Sequence, residues 1–148
     1  MAEYTCSIRT NYFQVKDPDA FRNFMERVYG TWPSIDVWEE KNDAGKQVFG
    51  FGAYGSICGV RDAIVDEIGD EDSGESSYDE FIEGLQEHVA EGDAIILLEA
   101  GNERLRYVVG SATIITSREY KYIDITQSAT VAAVSMLNNP NWTTKCEY

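Results

Sequence analysis

A chain of 148 residues, 43% hydrophobic and 12% aromatic, is long enough to bury the core of one ordinary domain, which excludes a disordered chain. No apolar run reaches the ~18 residues of a membrane span, residues 1–6 lack the basic-then-apolar order of a secretory signal, and three scattered cysteines with a single histidine give no zinc-ligand spacing. Reduced thiols and a cytoplasmic location are therefore expected, and a net charge of −14 argues against direct binding of nucleic acid or an anionic membrane.

Residues 4–15, rich in Thr, Ile, Tyr, Phe and Val, predict a strand. Asp17-Pro18 then has the chemistry of a helix start, with Asp as N-cap and Pro in the first turn. Phe21, Phe24, Met25 and Val28 follow at spacings of three and four and share one helix face. Gly30 is the predicted stop. Residues 35–41 and 46–54 predict two strands joined by Asn42-Asp43-Ala44-Gly45, a hairpin loop in which glycine can take positive φ. The second of these strands interleaves Gly50 and Gly52 with aromatics, which predicts bulging or the close approach of another chain segment.

A short helix is predicted over 59–68, then a polar acidic loop over 69–76. Ser77-Tyr78-Asp79-Glu80 is a capping-box sequence that opens a helix running to about Ala90. Residues 93–100, 105–116 and 120–125 predict three more strands, the second kinked at Gly110. A last helix over about 127–137 is predicted to pack through Val131, Val134 and Leu137, with Trp142 docking the tail. Hairpins outnumber βαβ units. The expected fold is one α+β domain over 1–148, a mostly antiparallel sheet of about six strands covered by three or four helices.

Charge is concentrated rather than spread. From Asp62 to Glu103 there are fifteen carboxylates and no Lys or Arg, against eleven acids and twelve bases elsewhere. Asp79, Glu83, Glu87 and Glu91 recur every four residues and so line one face of the predicted helix, with Tyr78, Phe81, Ile82, Leu85 and Val89 on the buried face. At ~1.5 Å rise per residue these carboxylates stand ~6 Å apart along the axis, close to the separation of neighbouring phosphates along a nucleic-acid strand. Like-charge pairs at this spacing each cost up to ~0.5 kcal/mol, and no lysine relieves them. The bland reading is a solvated helix face. The functional one is a phosphate-like surface offered to a basic protein groove. With Asp70, Glu71, Asp72 and Glu75 of the loop, the four helix residues form the candidate partner-binding set.

Other motifs carry less. Gly50-Phe51-Gly52-Ala53-Tyr54-Gly55 matches GxGxxG, but it lies on the second arm of a hairpin and not in a βαβ unit, so a packed strand is the better reading. Asp70, Asp72 and Glu75 do not meet EF-hand spacing: Glu75 stands where glycine is needed and Phe81 where the bidentate Glu belongs. His88 stands alone, with neighbouring carboxylates expected to favour its charged form. No catalytic constellation, metal set or cofactor motif is legible.

The stretches Tyr4-Thr5-Cys6 through Asn11-Tyr12-Phe13, Val37-Trp38-Glu39-Glu40-Lys41, Val48-Phe49-Gly50-Phe51-Gly52, Tyr78-Asp79-Glu80-Phe81-Ile82 and Trp142 through Tyr148 resemble a family of short acidic accessory proteins of conjugative elements, plasmids and phages of Firmicutes. The resemblance implies a setting in which small acidic proteins, antirestriction and anti-CRISPR proteins among them, act against host defence. It implies no enzymatic activity and transfers no functional residues. Charge and setting together lead to the expectation of a non-enzymatic DNA mimic that occupies the basic groove of a nucleic-acid-binding protein. The alternatives are an interaction adaptor using an aromatic sheet face around Trp38, Phe49 and Phe51, and an enzyme holding a divalent metal through Asp70 and Asp72.

Overall fold

The computed structural model describes residues 4–31, 35–61, 78–104 and 107–144. Among them the chain forms strand β1 (Thr5–Thr10), helix α1 (Pro18–Arg27), strands β2 (Val28–Gly30), β3 (Asp36–Lys41), β4 (Gln47–Tyr54) and β5 (Ile57–Val60), helix α2 (Tyr78–His88), strands β6 (Ile95–Glu103), β7 (Tyr107–Ile115) and β8 (Tyr120–Asp124), and helix α3 (Ile125–Leu137). Six strands make an antiparallel sheet in the order β3-β4-β1-β6-β7-β8, and β2 pairs with β5 in a separate two-stranded sheet. The α+β class and the antiparallel sheet agree with the sequence. No described helix is long and apolar enough to cross a membrane.

Register decides which side chains meet. Ile8 pairs with Ala53 and Glu99, Leu97 with Thr10 and Thr113, and Ile95 with Ile115, so these residues share one face by strand alternation. That face is the core. Phe49, Phe51, Ile95 and Ile115 are fully buried there against Phe21 of α1 and Phe81 and Leu85 of α2. Phe13 sits at the centre, edge-on to Phe21 at 5.6 Å and to Phe51 at 6.2 Å. Burying each such ring contributes roughly 1.5–3 kcal/mol. The two buried hydroxyls in this layer are both partnered: Thr10 Oγ1 accepts from the Phe51 N–H at 3.0 Å, and Thr113 bonds the Tyr78 hydroxyl. The opposite face is far more open, and Leu98, next to the buried Leu97, is 52% exposed.

Local chemistry fixes the boundaries. The Asp17 carboxylate accepts from the N–H groups of Asp19 and Ala20 and starts α1 where Pro18 occupies the first turn. Asn42 Oδ1 accepts from Ala44 and Lys46, both at 3.0 Å, and Gly45 takes φ +78°, closing the β3–β4 hairpin. Arg22 reaches from α1 to Glu39 of β3 through two hydrogen bonds, 2.6 and 3.0 Å. Asp124 caps α3 by accepting from Thr126 and Gln127, so that helix begins two residues before the expected Gln127. Asn138 ends it in the left-handed conformation, φ +50°.

Three expectations are corrected. α1 stops at Arg27, not Gly30, because Val28 turns into an extended pairing with Val60 and Tyr29 with Gly59. That same pairing makes Ile57–Val60 a strand where a helix was expected from Gly59; the remainder of the expected helix lies outside the described residues. Val131 and Leu137 of α3 are exposed and Val134 is only half-buried, so they do not form the packing face their spacing suggested. Trp142 does return to α3, half-buried beside Ile125, Ala129 and Thr130. Cys6 is half-buried beside Ser56, and Cys58 is exposed.

Candidate functional site

α2 forms because its apolar residues recur at helical spacing against a ready face. Phe81, Ile82, Leu85 and the following Val89 are buried, and Gly84 lets the Phe24 ring lie directly on the helix backbone. Tyr78 sits at the margin, 39% exposed, with its hydroxyl hydrogen-bonded to Thr113. The last helical bond runs from the Val89 N–H to the Leu85 carbonyl. The chain then pairs with the segment after β1: Lys16 donates to the His88 carbonyl, Ala90 donates to that of Gln14, and Val15 bridges Val89.

This geometry places the predicted acids unevenly. Asp79, Glu83 and Glu87 are all exposed on α2, one turn apart, with Glu80 beside them. Glu91 is exposed too, but it stands on the turn after the helix, where Gly92 takes φ +83°. The four-residue row is therefore three helical carboxylates and one on the adjoining turn. Asp70, Glu71, Asp72 and Glu75 lie outside the described residues. Among the described residues the ion pairs are Arg22–Asp19 and Arg22–Glu39, and none involves the row. Cations do approach its lower end: Lys16 and Arg27 stand near enough to His88 to oppose its protonation.

Two acids of the base-free segment have turned inward. Asp93 accepts from the N–H groups of Gln14 at 2.7 Å and Ala94 at 2.8 Å, joining β6 to the chain after β1. Glu99 accepts from the Tyr4 hydroxyl at 2.6 Å. Burial, then this bond to Glu99, holds the Tyr4 hydroxyl well above the ordinary phenol range. Burial, with the Glu99 charge adding to it, also raises Tyr78. Both hydroxyls therefore stay protonated near one carboxylate, Tyr4 donating to Glu99 and Tyr78 bonded to Thr113. No local pattern announces this grouping, since Tyr4 and Glu99 meet only through the β1–β6 register.

His88 reverses its expectation. Its ring lies 5.0 Å from Phe24 and 6.1 Å from Phe21. Burial lowers its pKa more than the Glu87 charge raises it. The neutral imidazole is a packing group against α1.

The glycine motif is explained by packing. A Cβ on Gly52 would stand 2.8 Å from the Ile8 carbonyl and 3.1 Å from the Trp38 ring, and one on Gly50 would stand 3.3 Å from the Tyr12 ring. The aromatic face imagined around Trp38, Phe49 and Phe51 is not one surface. Phe49 and Phe51 are buried in the core, whereas Trp38 pairs with Gly50 on the other side and lies under the Arg9 guanidinium at 4.5 Å. Among the described residues no three His, Cys, Asp or Glu side chains gather to hold a metal.

Comparison with protein-family models, with curated proteins and with solved structures gave no match.

Proposed function

We propose that the protein is a non-enzymatic acidic decoy: it presents carboxylates where a nucleic-acid-binding protein expects phosphates, and so occupies that protein's basic groove. The observation that carries this reading is the exposed row of Asp79, Glu83, Glu87 and Glu91, with no ion pair to any of them among the described residues. A solvated helix face normally intersperses lysines at this spacing; this one retains its repulsion. The row attracts a cationic groove and repels nucleic acid and anionic lipid, and it speeds encounter at low salt. Asp70, Glu71, Asp72 and Glu75 extend the same charge in sequence. The setting proposed is the cytoplasm of a cell carrying a mobile genetic element, with a host defence nuclease or another DNA-binding protein as the target.

The test is capture of partners from a bacterial lysate at low (~0.05 M) and high (~0.5 M) salt, followed by competition with duplex DNA. The decoy reading expects a DNA-binding protein that is retained at low salt, released at high salt and displaced by DNA. The Glu83→Lys/Glu87→Lys/Glu91→Lys variant should lose it. A partner held equally well by that variant, or indifferent to salt and to DNA, would contradict the reading.

A further inference from the structure

α3 is an anomaly for a surface helix. It carries no charged residue and buries none. Ile125, Thr126, Thr130, Val131 and Val134 are β-branched and of modest helix propensity. An isolated helix of 13 residues is marginal in water even for better formers. Eight of its thirteen residues are apolar and the other five are uncharged polar ones, so it lacks the charged outer face of an ordinary surface helix.

The open face of the sheet has the matching deficit. Ile96, Leu98 and Ile123 are exposed on it. Leu98, Ala100, Gly110, Ala112 and Ile123 line a mostly apolar groove, bordered also by Glu99 and Ser111, that α3 enters only through its first turn, at Ile125 and Ser128. Strand alternation turns the side chains of Glu99, Glu103 and Asp124 to the other side with Leu97, so the described part of this face across β6, β7 and β8 carries no carboxylate and one charged residue, Lys121 opposite Ile114. In a chain of net charge −14, this is the surface on which like copies approach without opposing carboxylates. The acidic helix α2 packs on the opposite face.

We propose that α3 and this open sheet face are the two halves of one reciprocal interface, in which α3 of each copy lies across Leu98, Ala112 and Ile123 of a second copy of this chain. A helix and a groove that adjoin in one chain and both need cover form a self-complementary patch, as a two-fold dimer requires. Leu98, Val108 and Ile123 on the sheet face, and Ile125, Val131 and Met136, which fall within one side of α3 spanning ~140°, are 40–86% exposed. At roughly 150–200 Å² for a whole residue of this size they offer on the order of 600 Å² per copy. Two copies then bury about 1,200 Å², the lower end of a specific interface. The acidic rows are left outward, one on each subunit.

Light scattering on the eluting full-length chain, from ~1 to ~200 µM, tests this. The wild type should move from 16.6 kDa towards twice that mass. Leu98→Glu in the groove and Val131→Glu on the helix alter exposed side chains, and each should weaken association at least about tenfold. Added salt should strengthen the dimer by screening the two acidic subunits, opposite to its effect on a decoy's partner, so the two proposals fail separately. A wild type that stays at 16.6 kDa throughout, or either variant dimerising as tightly as wild type, overturns the interface. So does a monomeric wild type whose Val131→Glu variant stops capturing a different protein.

Discussion

Replacing Glu83 by Lys should make the protein more stable. Glu83 faces Asp79 one turn before it and Glu87 one turn after, and all three are exposed. Each like-charge pair costs ~0.2–0.5 kcal/mol, so removing the central charge recovers ~0.4–1 kcal/mol. The new lysine adds two attractions, the stronger to Asp79, because an acid N-terminal to a base is the better order; together these add about 0.5 kcal/mol. The expected gain is ~1–1.5 kcal/mol at low salt, or about 2–6 °C in Tm for a chain of this size. No packing opposes it, since the buried side of α2 is Phe81, Ile82, Leu85 and Val89. Urea unfolding at low salt and near ~1 M salt, where the screening length falls to ~3 Å, separates the terms. The gain should be present in the first condition and largely gone in the second. A variant no more stable than wild type at low salt, or a gain unchanged by salt, would show that the row is not repulsive in the folded protein.

Phe51→Ala removes a fully buried ring from the centre of the sheet and should cost ~3–5 kcal/mol in urea unfolding; a loss below ~1 kcal/mol would contradict the described core. Gly52→Ala should cost ~1–3 kcal/mol, because its Cβ would stand 2.8 Å from a backbone oxygen, that of Ile8; an unchanged denaturation midpoint would count against the close approach. The pKa of His88 is lowered from 6.5 mainly by burial, so the unfolded chain takes up that proton first as the medium is acidified. Stability should therefore fall as pH drops through 6.5 and level off once the folded imidazole also protonates. His88→Gln should remove that part of the pH dependence, and an identical pH profile for the two proteins would refute the half-buried, neutral assignment.

Local chemistry made several elements readable. Asp17-Pro18, the Asn42–Gly45 loop and the apolar spacing of α2 each fix a boundary through neighbours in sequence. The glycine–aromatic alternation of β4 announced a close approach, which proved to be Ile8 and Trp38. What could not be read depends on distant register. A strand as short as β2 has no pattern of its own and exists because Val28 meets Val60. Phe49 and Phe51 look like a display surface in isolation, until α1 and α2 cover that face. His88 looks charged among carboxylates, until Phe21 and Phe24 close over it. In the candidate site, Asp79, Glu83 and Glu87 were placed by periodicity alone, whereas the helix end at His88 moved Glu91 onto a turn. The inward roles of Asp93 and Glu99 arise from partners 79 and 95 residues away. The clue to α3 was present but is easily passed over: a stretch over 125–137 without one charge in a chain this acidic.

Affinity for a DNA-binding partner, measured against salt for wild type and for Glu83→Lys/Glu87→Lys/Glu91→Lys, addresses the functional proposal most directly. Wild-type binding should weaken steeply as salt rises, and the variant should bind weakly at every salt concentration while remaining folded. Equal affinities for the two proteins across the series would mean that the carboxylate row is only a solvated helix face.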